Sequence, residues 1–133
     1  MSKIINFSEA SSLAIHAVVL IAQAKGEAVN VNSISDATGA SRNHLAKVMQ
    51  RIVKHGIVTS MRGPSGGFKL KNNASEVTLY DVYECIDGPI ILEGCPLDRP
   101  ICPFEKCIMG GIVNKLTNEM KTYLQKETIS NFI

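Results

Sequence analysis

The sequence predicts a mainly α fold with a small β-hairpin: a winged helix-turn-helix plus a long C-terminal dimerisation helix. Three observations predict it. A helix-forming stretch over residues 41–54 runs straight into two short β-prone runs around a glycine-rich loop. Seven basic residues and no acidic one lie between Asp36 and Glu76. A segment rich in proline and cysteine then leads to a helix whose apolar residues step at heptad spacing.

At 133 residues the chain is one domain, or one domain with an appendage, and its 45% apolar content is enough for a core. The expected division is 1–77, a DNA-binding winged helix-turn-helix with its N-terminal helix, and 78–133, a short helix, a cysteine-bearing loop and the dimerisation helix. The net charge of +2 hides a split. Residues 1–72 carry nine basic and three acidic side chains, whereas residues 73–133 carry five and nine. Such a division sends the first half to a polyanion and gives the second another task. No run is long enough to span a membrane. Leu13–Ala22 is the most apolar stretch, but His16 interrupts it and a single Lys precedes it, so it reads as a buried helix rather than a secretory leader. The expected location is cytoplasmic. There, four cysteines point to metal or redox chemistry before disulfides.

The first helix spans roughly Phe7 to Ala24, and its apolar centre implies burial. Glu9, Ser12 and His16 share one of its faces. A lone histidine there is by default a satisfied core or interface residue. A second, short helix lies within Val29–Gly39. Ser33 and Asp36 resemble a capping box, Ile34 and Ala37 are placed inward, and Gly39 makes the turn. Ser41 caps the third helix. Leu45, Val48, Met49, Ile52 and Val53 form its apolar face, and Asn43, Lys47, Gln50 and Lys54 lie opposite. Gly56 ends it. The runs Ile57–Arg62 and Phe68–Lys71 flank the loop Gly63-Pro64-Ser65-Gly66-Gly67 and make the wing. A helix with a basic and amide-bearing outer face suits a DNA major groove, and a basic hairpin beside it reaches the neighbouring groove or backbone. The loop lacks the Lys-Ser/Thr ending of a phosphate cradle. Thr78 and Asp81 cap a fourth helix over Thr78–Asp87, with Leu79, Val82 and Ile86 inward. Cys85 beside them reads as a small buried hydrophobe.

Four of the five prolines and three of the four cysteines fall between Gly88 and Cys107. Proline at this density forbids helix and sheet. A structureless segment this long is usually functional or fixed by something else. Cys95, Cys102 and Cys107, spaced by six and four residues, can hold a soft metal centre, either an iron–sulfur cluster or zinc; a disulfide or three unconnected thiols is the plain alternative. From Met109 a helix resumes. Met109, Val113, Leu116, Met120 and Tyr123 form a short seam for a symmetry mate, the alternative being packing on its own domain. Ser130–Ile133 reads as a loose end.

Ser41-Arg42-Asn43-His44-Leu45, the wing sequence Arg62 to Phe68, and three cysteines ahead of a long helix resemble the winged-helix repressor family that includes IscR, NsrR and CymR. The resemblance covers nearly the whole chain. It implies a homodimer on a palindromic double-stranded DNA operator, with Ser41, Arg42, Asn43, His44 and Lys47 reading from the helix and Arg62 and Ser65 from the wing. It also implies an iron–sulfur cluster, [2Fe–2S] or [4Fe–4S], on Cys95, Cys102 and Cys107, sensing nitric oxide, redox or iron–sulfur status. CymR-like members lack the cluster and respond through a protein partner. The cysteine gaps here are less even than is usual, and Gly110 stands where IscR-type sensors have a histidine. The resemblance then points to His16 or Glu9 of the partner subunit for the fourth ligand. Aligning the apolar run puts His16 at a relative's histidine position and Ser12, not Glu9, at the carboxylate one. A small electron-transfer protein and a structural zinc protein remain as readings from other classes. The expectation is a regulator, most simply a repressor, and no enzyme.

Overall fold

The computed structural model describes residues 7–92 and 103–133. Cys95 and Cys102 therefore lie outside the described residues, with half of the proline-rich segment.

Helix α1 spans Glu9–Gln23. Ser8 caps it, its hydroxyl oxygen accepting the Ser11 N–H at 3.1 Å. Leu13, Ala14, Ala17, Val18, Ile21 and Ala22 are buried, and the three alanines let neighbouring helices come close. Helix α2 spans Val31–Thr38 and α3 Arg42–Lys54. Gly39 takes a left-handed φ of 77° between them, a conformation that favours glycine. Two hydroxyls brace this turn: Ser35 donates to the Ala40 carbonyl at 2.7 Å, and the Thr38 hydroxyl oxygen accepts the Ala40 N–H at 3.3 Å. Ser41 caps α3 by accepting the His44 N–H at 3.1 Å, and Leu45, Val48, Met49 and Ile52 are buried.

Two details of α2 differ from expectation. Its cap is Asn30, whose side-chain oxygen accepts the Ser33 N–H at 2.8 Å, so Ser33 lies within the helix rather than starting it. The reason is non-local. Val29 pairs with Phe68 of the wing (3.0 and 2.8 Å), which ends the extended segment one residue earlier and lets the helix begin at Val31. Ile34 is fully buried, but Ala37 is exposed.

Strands β1 (Val58–Met61) and β2 (Gly67–Leu70) pair antiparallel, with Val58 opposite Leu70 and Met61 opposite Gly67. Gly67 has a φ of 146° and abuts Val29 so closely that a Cβ there would sit 2.6 Å from its carbonyl carbon and oxygen. The wing is thus locked to the start of α2. Helix α4 spans Leu79–Asp87 and has the expected capping box: Thr78 accepts the Asp81 N–H, and Asp81 accepts the Thr78 N–H.

The long helix α5 spans Ile112–Lys126, starting later than expected from Met109. Gly110 and Gly111 both take positive φ, 61° and 70°, and hold the preceding residues in a turn. Thr117 and Leu124 face the body of the protein and Met120 packs against the core. Leu116 (44% exposed) and Tyr123 (53% exposed) face outward, with Ile108, Met109 and Ile112 on the approach. The expected seam is therefore divided: part holds α5 to its own chain and part is uncovered.

The C-terminus is not loose. Residues Ile129–Phe132 form a 3₁₀ turn. The Ile129 N–H donates to the Val77 carbonyl at 2.8 Å, its side chain is fully buried, and Gln23 donates to the Phe132 carbonyl at 3.1 Å. The buried isoleucine and its backbone bond hold the tail, expected to be loose over Ser130–Ile133, against the body of the protein. Ile21, Ile34, Leu45, Met49, Ile52, Val82 and Ile129 share one continuous core, drawn from both halves of the sequence.

Candidate nucleic-acid interface and cysteine segment

Helix α3 buries one face and leaves Arg42, Asn43, Lys47, Gln50 and Lys54 exposed on the other. Ser41 is exposed at its start and His44 is half-buried in its first turn. Arg62 and Ser65 are exposed at the wing tip. The Val29–Phe68 pairing fixes the hairpin to α2, and the hydroxyl-braced turn fixes α2 to α3, so helix and wing form one rigid unit. Arg51 faces differently from the other basic residues. Its charge is felt by Asp87 and Cys85 of α4.

Cys107 is exposed, and the backbone N–H groups of Gly111, Met109 and Gly110 hold its thiol below the ordinary value. The two positive-φ glycines that delay α5 create this nest of donors, which favours a thiolate. Cys85 is the opposite case. Burial pushes its thiol up to about 11, with Asp81 and Glu84 adding to the effect, and it donates to the Asp81 carbonyl at 3.2 Å. It is a core thiol, as its place on the apolar side of α4 implies.

Glu9, Ser12 and His16 lie together on the outer face of α1, on the rim of a cleft of about 720 Å³ floored by Leu13, Val19 and Leu20. His16 is exposed rather than a core residue. Its Nδ1 lies 2.7 Å from the Ser12 carbonyl. A carbonyl only accepts, so Nδ1 carries the hydrogen and the neutral ring keeps its lone pair on Nε2. An oriented imidazole with a free Nε2 is the form that ligates metals. Among the described residues, no group of three or more His, Cys, Asp or Glu side chains is placed to hold a metal ion within one chain. The donors that are described fit a thiolate- and imidazole-bound centre chemically: Cys107 by its nest, His16 by its tautomer.

Sequence reasoning missed a further cluster at the root of the cysteine segment. The Asp87 carboxylate accepts from the Ser8 N–H (3.1 Å), the Ser8 hydroxyl (3.0 Å) and the Ser11 hydroxyl. Desolvation opposes its charge. The Ser11 and Ser8 donors, aided by Arg51, outweigh that and hold the carboxyl below its usual range. The signal was an aspartate in the last turn of its own helix, where the dipole disfavours it.

Fold and surface together define a winged helix-turn-helix with a basic outer face, the architecture of a DNA-binding regulator. The chain belongs to the Rrf2 family of iron-dependent transcriptional regulators, whose model matches residues 7–133. An HTH-type transcriptional regulator of Aquifex aeolicus (strain VF5) is 28% identical over 130 residues, covering 96% of this chain and 90% of the relative. Among solved structures, CymR (YrzC), the global cysteine regulator of B. subtilis, matches with a TM-score of 0.76 at 19% identity over 95% of this chain and 94% of that one. IscR of T. potens matches with a TM-score of 0.72 at 20% identity over 95% and 84%. At these identities the two structures speak to fold. Among the described residues no helix is long and apolar enough to cross a membrane.

Proposed function

We propose that the chain is a cytoplasmic, homodimeric repressor whose hold on a palindromic operator is set by an iron–sulfur cluster. The residues proposed to bind it are Cys95, Cys102 and Cys107 of one subunit and His16, or else Glu9, of the partner. The observation that carries the reading is the pair of prepared donors: a thiol held toward thiolate by three backbone N–H groups, and an imidazole fixed with Nε2 free. His55 makes the same contact with the Arg51 carbonyl at 2.9 Å, so what distinguishes His16 is its place beside Glu9 on the outer face of α1. When bound, such a cluster supplies a centre reactive to nitric oxide, oxidants and iron supply.

The residues of the chain do the rest. Ser41, Arg42, Asn43, His44 and Lys47 contact bases and phosphates from α3, and Arg62 and Ser65 from the wing. The uncovered stripe of Ile112, Leu116 and Tyr123 on α5 pairs two copies, and so sets the spacing of two recognition helices near ~34 Å. In this division residues 1–77 read DNA and residues 78–133 report the state of the cysteine segment. A second reading, which follows from the sequence resemblance to CymR-like members, keeps the same DNA-reading half and controls it without a cluster through a protein partner.

The test compares three single variants after anaerobic purification. His16→Ala is expected to keep fold and dimer but change the visible spectrum or its lifetime, Cys85→Ala to leave both alone, and Glu9→Ala to decide between the two α1 candidates. If Glu9 and His16 can both be removed without spectral change while Cys85→Ala bleaches the protein, the ligand assignment is wrong.

A further inference from the structure

We propose that Asp87 is a positioning residue that carries the placement of the cysteine segment to α1, and through α1 to the recognition helix. Asp87 is the last residue of α4, and the cysteine segment begins at the next one. The carboxylate binds nothing in its own helix. Its three donors all belong to the start of α1, 76 and 79 residues earlier in the chain. One of them, the Ser11 hydroxyl, belongs to a residue with no exposed surface. An acid at the C-terminal end of α4 opposes that helix's dipole, whereas the same charge at the N-terminus of α1 is favourable. The aspartate is explained by what it does for α1.

The arm beyond it is held as well. The Gly88 N–H donates to the Glu84 carbonyl at 3.0 Å, the Ile90 N–H donates to the Tyr80 hydroxyl at 3.0 Å, and the Ile90 side chain is buried. Lys121 of α5 lies over the Tyr80 ring, 5.9 Å from its centre. The chain is thus gripped through Ile90 and emerges at Ile91 and Leu92, both exposed. A displacement that begins in the cysteine segment meets a stiff root, and the stiff root is fastened to α1. Helix α1 packs on α3 within the common core, so it passes that displacement on. The outer face of the same helix carries Glu9 and His16, so the anchoring of α1 by Asp87 also bears on where those side chains stand.

The inference rests on the proposal that the state of the cysteine segment controls DNA binding, and the experiment separates the two. Operator affinity is measured for the cluster-loaded and cluster-free dimer, giving a ratio, for wild type, Asp87→Asn and Ser11→Ala. Amide hydrogen exchange is followed in the same proteins at Ser8, Ser11 and Ile90. Asp87→Asn is expected to lower the ratio at least threefold and to speed exchange at Ser8 and Ser11 at least tenfold, with Ser11→Ala intermediate. A merely structural role would lower affinity in both states together and leave the ratio unchanged. A wild-type ratio of one refutes cluster control itself. A wild-type ratio well above one that both variants retain refutes the role of Asp87 alone. Ser11→Ala removes a single hydroxyl and decides the matter if Asp87→Asn does not fold.

Discussion

Gly67→Ala separates a wing that is locked to the helix pair from one that merely lies beside it. The added Cβ would sit 2.6 Å from the carbonyl carbon and oxygen of Val29 and 2.9 Å from the Asn30 nitrogen. These are backbone atoms and cannot swing aside as the end of a side chain can. A φ of 146° is also strained for any residue with a Cβ. The pairing must therefore open, losing the two Val29–Phe68 hydrogen bonds, at about 1 kcal/mol each. Residual backbone strain adds ~1–3 kcal/mol if the strand holds its place. The local cost is about 2–5 kcal/mol, the lower end if the strand moves and relieves the strain, large enough that the wing detaches from α2 and the rest of the fold stays. The expected result is loss of amide protection at Val29 and Phe68, a modest fall in melting temperature, and a clear loss of operator affinity. Gly63→Ala is the control: its φ is 104°, but nothing lies within 4 Å, so it brings strain without the clash. Retained protection at Val29 and Phe68, with unchanged operator affinity in Gly67→Ala, would refute the locked wing.

Further outcomes follow from the same structure. Lys47→Ala is expected to weaken binding to palindromic and random duplexes alike and to reduce the salt slope by roughly one unit. Arg62→Ala should cost ~1–3 kcal/mol on the operator if it contacts a base edge; isotherms at several salt concentrations measure both. Leu116→Asp puts a charge in the uncovered stripe of α5 and is expected to give monomers by sedimentation without unfolding them, since the side chain is exposed within one chain. Burial raises the Cys85 thiol from 9.0 to about 11, so the fold favours its neutral form. That contribution is complete below about pH 9 and is lost as pH rises toward 11, ~2–3 kcal/mol in all. Denaturant midpoints at pH 8 and pH 11 should show a smaller alkaline loss in Cys85→Ala than in wild type.

What was legible in the sequence was local. Ser41 before an apolar-periodic run, Thr78 three residues ahead of Asp81, and glycine at positions 39 and 56 each act on neighbours within a turn, and each stands as read. The burial of Cys85 followed from helical periodicity in the same way. What escaped was set by partners far along the chain. Asn30 caps α2 because Val29 pairs with Phe68, 39 residues on. Ile129 is buried because Thr128 pairs with Thr78, which turns a polar tail onto the core. Asp87 stood out in the sequence only as the end of a helix, because its donors lie more than seventy residues away. The heptad spacing on α5 was real but served two surfaces, with Met120 turned to the core and Leu116 and Tyr123 outward. Period alone does not say which neighbour a stripe meets. In the cysteine segment, Cys107 is described and Cys95 and Cys102 are not.

The account stands or falls on whether the purified protein carries iron and sulfide that govern its hold on DNA. The measurement is a titration of operator DNA with anaerobically purified protein, its visible spectrum and its iron and sulfide content recorded first, repeated after the cluster is removed by chelation or nitric oxide. The expected result is a brown protein with stoichiometric iron and sulfide whose operator affinity changes at least tenfold on that treatment, while Cys107→Ala is colourless and locked in one state. A colourless wild type with stoichiometric zinc, or a brown one whose affinity ignores the loss of its colour, would contradict it.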